Sequence, residues 1–436
     1  MSKRTSRRQD SDLVDGACEG SGFGIGATEY TSPPVMKKTS LAVLFLTVFI
    51  DLIGFGMVIP FLPFYAREYG ASGTTVGMIV GIYSLMQFFF APVWGRLSDR
   101  IGRRPVILIS LTASCIGYFL FAFSRSLTLL FVSRIIAGGG GANIGTAQAY
   151  IADKTTPENR AKGMGIIGAA FGMGFILGPP LSGQLAQVGI NHGLAGNLLP
   201  GFAAGSLSFV ALSIAFVVLG ESKAPDLRPR SGIPPQFDRR VWSEMASHRL
   251  LLAIMATLFI TLLAVAGMET SIPLHARERF HFSPRDLSWF FLFMGVIVAG
   301  IQGGLIGRLA KRFGEKTLVA VGAASFTIGL ALVPIVWRVP MLYVVAFFIS
   351  IGQGLSYPSL TSLVTKASPA NEHGSMLGLA SGVGSLARFL GPIWCGFLYD
   401  LAQARGAFYG SAVLTAIAFV IALQMRKQPL LVEAAG

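Results

Sequence analysis

The chain has 436 residues, 53% of them apolar and only 13% charged, with a mean hydropathy of +0.63. Soluble domains carry about 25% charged residues, so a disulfide-stapled secreted scaffold, a disordered chain and a typical cytosolic enzyme are excluded. The three cysteines, Cys18, Cys115 and Cys395, show no pairing or metal-ligand spacing, and the net charge of +14 is spread over short loops rather than gathered into a nucleic-acid-binding domain.

Residues 1–40 read as a polar cytoplasmic tail, Gly/Ser-rich and without apolar periodicity over 1–38, which predicts disorder. Gly20, Gly22, Gly24 and Gly26 are not a dinucleotide loop, because no strand precedes them and no helix follows. Met36-Lys37-Lys38 before Leu41–Ile50 has the look of a signal peptide. The apolar run, however, continues to Tyr65 with no small-residue cleavage site, which predicts an uncleaved first span, with Met36 as an alternative start that intact mass distinguishes.

Apolar runs then predict twelve membrane spans. In the first half they cover roughly 41–66, 75–95, 105–123, 127–151, 161–185 and 200–220. In the second half they cover roughly 250–275, 286–308, 317–336, 340–365, 373–398 and 406–425. Residues 221–249, rich in Pro, Arg and Ser, read as a cytoplasmic linker, and 426–436 as a second cytoplasmic tail. With the N-terminus inside, 26 Lys and Arg fall on the inner side and 7 on the outer side, which places both ends and the linker in the cytoplasm.

The chain also repeats itself. Leu62–Glu68 (LPFYARE) returns as Ile272–Glu278 (IPLHARE), Gly95-Arg96-Leu97 as Gly307-Arg308-Leu309, and Gly178-Pro179 as Gly391-Pro392. The steady offset predicts an all-α membrane protein of two homologous six-helix bundles, 41–220 and 250–425, in the same orientation. Such halves bind substrate between them near the midplane and rock against each other.

Charges inside spans are costly, about 2.5–3.5 kcal/mol each on insertion scales, and so mark function. Asp51 lies ten residues into the first span, and Arg134 lies at a similar depth in the fourth. Burial favours the neutral acid and a nearby cation favours the carboxylate, so a carboxyl between the two can load and release a proton. The two are expected to pair in at least one state. Glu269 near the outer end of span seven and Arg388 in span eleven form a second candidate pair. Gln87, Gln148, Gln302 and Gln353 are candidates for lining a substrate path, or for hydrogen-bonding between helices.

Span five carries glycines at fourfold spacing, among them Gly174 and Gly178, then Pro179 and Gly183, a pattern that admits close helix approach and bends the span. Gly374, Gly378 and Gly382 repeat the spacing in span eleven. The turn Gly95–Pro105 is the most specific stretch. In this gating turn, which includes Arg100, Gly95 and Gly102 permit tight geometry, Asp99 is placed to meet the N-terminus of span eleven near His373, and Arg103 or Arg104 is placed to meet Asp153 or Glu158 when the cytoplasmic side is closed; the alternative is that the arginines merely enforce positive-inside.

These residues resemble the major facilitator superfamily, specifically its twelve-span drug:proton antiporters and most of all the tetracycline-efflux branch. The likeness covers about 41–425 and rests on Gly95–Leu108, Asp51–Pro63, Met86–Pro92, Leu130 to Ala142 and Gly174 to Gly183. Ala137, Pro180 and Ser182 depart from it, and Val298 stands where tetracycline exporters carry a His, a departure that bears on tetracycline as the substrate. The resemblance implies export of amphiphilic small molecules by proton exchange and alternating access, in a bacterial inner membrane. The proton gradient would stand in place of any cofactor or metal, no nucleic acid would be involved, and the chain would work as a monomer. A proton-coupled uptake symporter for a small organic nutrient is the rival expectation; an enzyme has no motif in its support.

Overall fold

The computed structural model describes residues 38–155, 157–222, 233–369 and 372–428. The predicted tail over 1–37, the Met36 start and linker residues 223–232 lie outside them. Among the described residues the regular structure is entirely helical.

Span one runs Lys38–Val58, passes through a 3-10 turn at Ile59–Phe61 and ends as Leu62–Glu68. Pro60 and Pro63 remove main-chain donors there, which breaks the α ladder. Span two is Gly73–Ile101, three Arg103–Ala122, five Pro157–Asn191 and six Leu198–Val218. Span four is Leu127–Gly140 and Ile144–Lys154, joined by a 3-10 turn at Gly141–Asn143. Span seven is Arg249–Phe280, nine Glu315–Leu332 and ten Val339–Ala367. Span eight is Pro284–Gly300, then a π turn at Ile301–Leu305, then Ile306–Phe313. Spans eleven and twelve share His373–Met425, divided where Ala402 and Gln403 leave helical geometry, Gln403 at φ 51°. Ser72, Ser126 and Ser283 start their helices by accepting from Thr75, Leu129 and Asp286 N–H groups.

Among the described residues ten helices are long and apolar enough to cross a membrane; one of them holds both spans eleven and twelve, and Pro157–Asn191 completes the twelve. The helices outrun the predicted spans at several ends, because they continue as polar turns beyond the apolar run. Span two, predicted to stop near 95, carries Arg96, Asp99 and Arg100 in its last turns. The linker face is the one holding the turn between spans two and three and the linker; the far face is the opposite one.

Lipid gives helices little hydrophobic reason to associate, so close van der Waals packing at small residues does the joining. Span five packs on span one through glycine: a Cβ on Gly174 would sit 2.9 Å from the Leu52 main chain, and one on Gly56 would sit 2.7 Å from the Gly174 carbonyl. Gly183 of span five instead meets Ser288 and Pro284 of span eight, in the other half. Near the far face, Gly73, Gly77 and Gly81 of span two lie against the Gly396, Pro392 and Phe389 main chain of span eleven.

Candidate functional site

At the far face the repeated heptapeptides lock onto each other. Arg67 reaches Glu278 at 3.3 Å, and Arg277 reaches Glu68 at 3.5 Å and the Phe64 carbonyl at 3.2 Å. Glu278 also accepts from the Tyr399 hydroxyl at 2.5 Å. Asp400, from the second half, accepts from the Gly73 N–H at 2.6 Å and from the Thr74 N–H and hydroxyl at 2.8 and 2.7 Å, which caps span two. The sequence offered the repeat as evidence of duplication; that its two copies face each other as reciprocal ion pairs required the fold.

Behind this lock, between the halves, lies a cavity of about 570 Å³, within the range that holds a drug-sized molecule. Spans one, four and five contribute Pro60, Gln148 and Phe175 on one side; spans seven, eight and ten contribute Glu269, Gln302, Gln353 and Tyr357 on the other. Three of the four candidate glutamines therefore line it. Gln302 sits in the π turn of span eight, a distortion frequent at functional positions. Gln353 also approaches the Met268 sulfur at 3.9 Å. Gln87 does not line the cavity. Its amide donates to the Gly141 carbonyl at 3.1 Å, serving main chain that the 3-10 turn frees from helical bonding. Val298 and Gly295 are cavity residues as well, as is Pro179.

Asp51 occupies a separate, smaller space of about 20 Å³ beside Thr47, Tyr83 and Asn143, enough for roughly one water. Its Oδ1 is sealed from solvent with no hydrogen-bond partner among the described residues, and Ser114 interacts with the carboxyl. Arg134 is 2% exposed, and its Nη2 is likewise sealed and unpartnered. The two do not form an ion pair here. Tyr118 stands between them, an electrostatic neighbour of both. Its hydroxyl reaches the Asp51 carbonyl at 3.4 Å, and the guanidinium lies 5.9 Å from its ring and 5.0 Å from that of Phe121. Cation–π attraction thus stands in for a carboxylate partner. Asn143 faces the same Asp51 space and donates to the Ser110 hydroxyl at 2.6 Å.

Glu269 and Arg388 are electrostatic neighbours without an ion pair; Arg388 donates to Ser385 at 3.2 Å and also senses Tyr357 and Tyr83. Glu269 lines the large cavity.

At the linker face, the turn after span two is bound into its own half. Arg103, only 7% exposed in its side chain, reaches Asp99 at 2.8 Å, Asp153 at 3.1 Å and the Ser98 hydroxyl at 2.6 Å. Glu221 accepts from the Arg103 and Arg104 N–H groups at 2.8 and 3.2 Å and so caps span three, with Gly102 at φ 100° making room for it. Arg104 takes a different path, to the Phe216 carbonyl at 2.7 Å and over the Phe216 ring. The Glu158 side chain lies outside the described residues, and Arg100 is exposed. Glu221 was not among the residues singled out from sequence, although it is the first carboxylate after the apolar run of span six.

The sequence profile of the Major Facilitator Superfamily matches residues 44–392 and 280–434. The chain belongs to the major facilitator superfamily. It is a multi-pass membrane transporter, not an enzyme. Tetracycline resistance protein, class C, of Escherichia coli is 30% identical over 366 residues, covering 82% of this chain and 89% of that protein. Quinolone resistance protein NorA of Staphylococcus aureus (strain MRSA252) is 27% identical over 388 residues, covering 88% and 96%. Among solved structures, the human organic anion transporter MFSD10 (TETRAN) aligns with a TM-score of 0.65 at 25% identity, covering 90% of this chain and 100% of that one. A bacterial homologue of the human lysosomal transporter Spinster aligns at 0.77 with 14% identity, covering 89% and 96%, a likeness of fold alone.

Within this superfamily fold, Tyr83, Tyr118 and Tyr357 are further site residues that the sequence does not single out. Each is a tyrosine in an apolar run, a signal shared with ordinary packing residues, and only their convergence on Asp51, Arg134 and Arg388 separates them from it.

Proposed function

We propose that this protein is a proton-coupled antiporter that exports amphiphilic small molecules by alternating access across a bacterial inner membrane, with the linker face and both chain ends in the cytoplasm. The observation that carries this reading is Asp51, a carboxyl in the apolar middle of span one with a sealed, unpartnered oxygen and room beside it for about one water. A permanently ionised carboxylate would not persist there without a cation beside it, whereas a group that takes up and gives off a proton needs such a space. The large cavity, mostly apolar with a few polar groups, suits an amphiphile. The names of the bacterial relatives, resistance proteins for tetracycline and quinolones, support export over uptake. In this reading Glu269 and Arg388 link substrate in the cavity to the proton site, and the proton gradient is the only energy source.

Two measurements test it together. Cells expressing the chain gain resistance to some members of a panel of amphiphilic drugs, and those same drugs release protons from the purified protein. Sensitisation, or uptake with inward proton flow, supports the nutrient symporter instead; binding with no proton release overturns the coupling.

Alternating access also requires the far-face lock to open. Its ion pairs are a third to nearly half exposed, so each contributes no more than about 1 kcal/mol. Glu278→Gln removes the Arg67 bridge and the charge on the Tyr399 bond at once. A cysteine at Val298 in the cavity is therefore expected to react several-fold faster with an impermeant maleimide added on the far side in Glu278→Gln than in its parent. An unchanged rate means that these bridges do not hold the face shut.

A further inference from the structure

Spans two and eleven touch through glycines near the far face, yet the glycines of span eleven near the linker face have a different neighbour. The linker turns as a 3-10 element at Pro235–Phe237 and enters the space between the two spans. A Cβ on Gly378 would sit 3.1 Å from Pro235 Cγ, and one on Gly382 would sit 2.7 Å from Gln236 Cβ and 3.5 Å from the Phe88 ring. On the other side, the Phe237 ring lies 5.2 Å from Phe88, edge to face, and 6.3 Å from Phe89, nearly parallel. The small-residue face predicted to receive a helix thus receives the linker.

The element is built to hold its shape. Phe237 N–H bonds the Pro234 carbonyl at 2.8 Å, and two prolines restrict the turn. The Trp242 indole donates to the Gln236 carbonyl at 3.0 Å. Asp238 caps the following helix, Arg239–Ser247, through the Arg240 N–H at 2.9 Å. That helix is anchored to the second half by Met245, buried with Leu251, Met376 and Leu379.

We infer that Pro235–Phe237 is a removable wedge that props spans two and eleven apart at the linker face. Gln236 fills the space over Gly382, with the Phe88 ring already at its edge, so spans two and eleven draw no closer at the linker face until the wedge withdraws. The inference rests on the alternating-access reading. It adds that the linker, rather than serving as a passive tether, biases the transporter toward the state open at its own face.

Nitroxide labels on Val93→Cys and Leu377→Cys, both exposed on spans two and eleven, report the gap in full-length protein that lacks the native cysteines, held in lipid nanodiscs. With the native linker, double electron–electron resonance is expected to show mainly the long distance. Pro235→Gly/Gln236→Gly/Phe237→Ala is expected to raise the short-distance fraction several-fold. Phe88→Ala/Phe89→Ala, which leaves the linker sequence intact but removes the rings Phe237 packs on, is expected to shift it the same way. Unchanged distributions in both variants overturn the wedge. Because the measurement needs no substrate, a shifted distribution in a protein that exports no drug would refute the export reading and leave the wedge standing.

Discussion

Asp51→Asn is expected to abolish accumulation against a gradient while sparing downhill exchange. One unit of pH difference is worth about 1.4 kcal/mol per proton, or about a tenfold substrate ratio for each proton coupled. Proteoliposomes containing the native protein and a drug selected by the susceptibility profile should approach that ratio; Asp51→Asn should stay near unity. The amide keeps the size of the carboxyl, and the surrounding Thr47, Tyr83 and Asn143 can hydrogen-bond it, so folding and the large cavity should survive. What it lacks is a group that binds a proton. Full accumulation by the variant would remove Asp51 from the coupling step and with it the central support for a proton antiporter.

Arg103→Ala is expected to be the most destabilising single change at the linker face. The guanidinium is a nearly buried hub between two carboxylates and a hydroxyl, and its loss leaves Asp99 and Asp153 facing each other without the cation. Breaking a buried pair by removing one partner costs about 3–5 kcal/mol. The expected readout is a drop of several degrees in the temperature at which the detergent-solubilised protein aggregates, with Arg103→Lys intermediate. Arg104→Ala is the comparison. Its side chain contacts a carbonyl and a ring at the surface of span six and should cost about 1 kcal/mol or less. Equal losses at the two positions would show that the neighbouring arginines share one role, contrary to the geometry.

The apolar runs revealed the twelve spans because a membrane helix must satisfy its main chain internally and coat itself with apolar side chains, and both demands are written residue by residue. Their ends were less legible, since a helix such as Gly73–Ile101 continues through polar turns once outside the apolar run. Asp51, Arg134, Glu269 and Arg388 were conspicuous because charge is rare in such company. Their partners were not. Tyr118 between Asp51 and Arg134, and Glu221 on the N-terminus of span three, act through spatial neighbours 67 to 118 residues away in the chain. The linker was the least legible segment. Its Pro-rich composition reads as a connector, and nothing in the order of residues says that Pro235 and Gln236 lie on two particular glycines of span eleven.

The reciprocal Arg–Glu bridges at the far face imply something about origin. An Arg-Glu dipeptide placed near a two-fold axis is complementary to its own image, so two identical copies form both bridges at once. A half-length ancestor bearing this segment could have closed as a homodimer before any fusion, and the Tyr65–His275 difference shows the copies free to diverge beside a charge pattern they both keep.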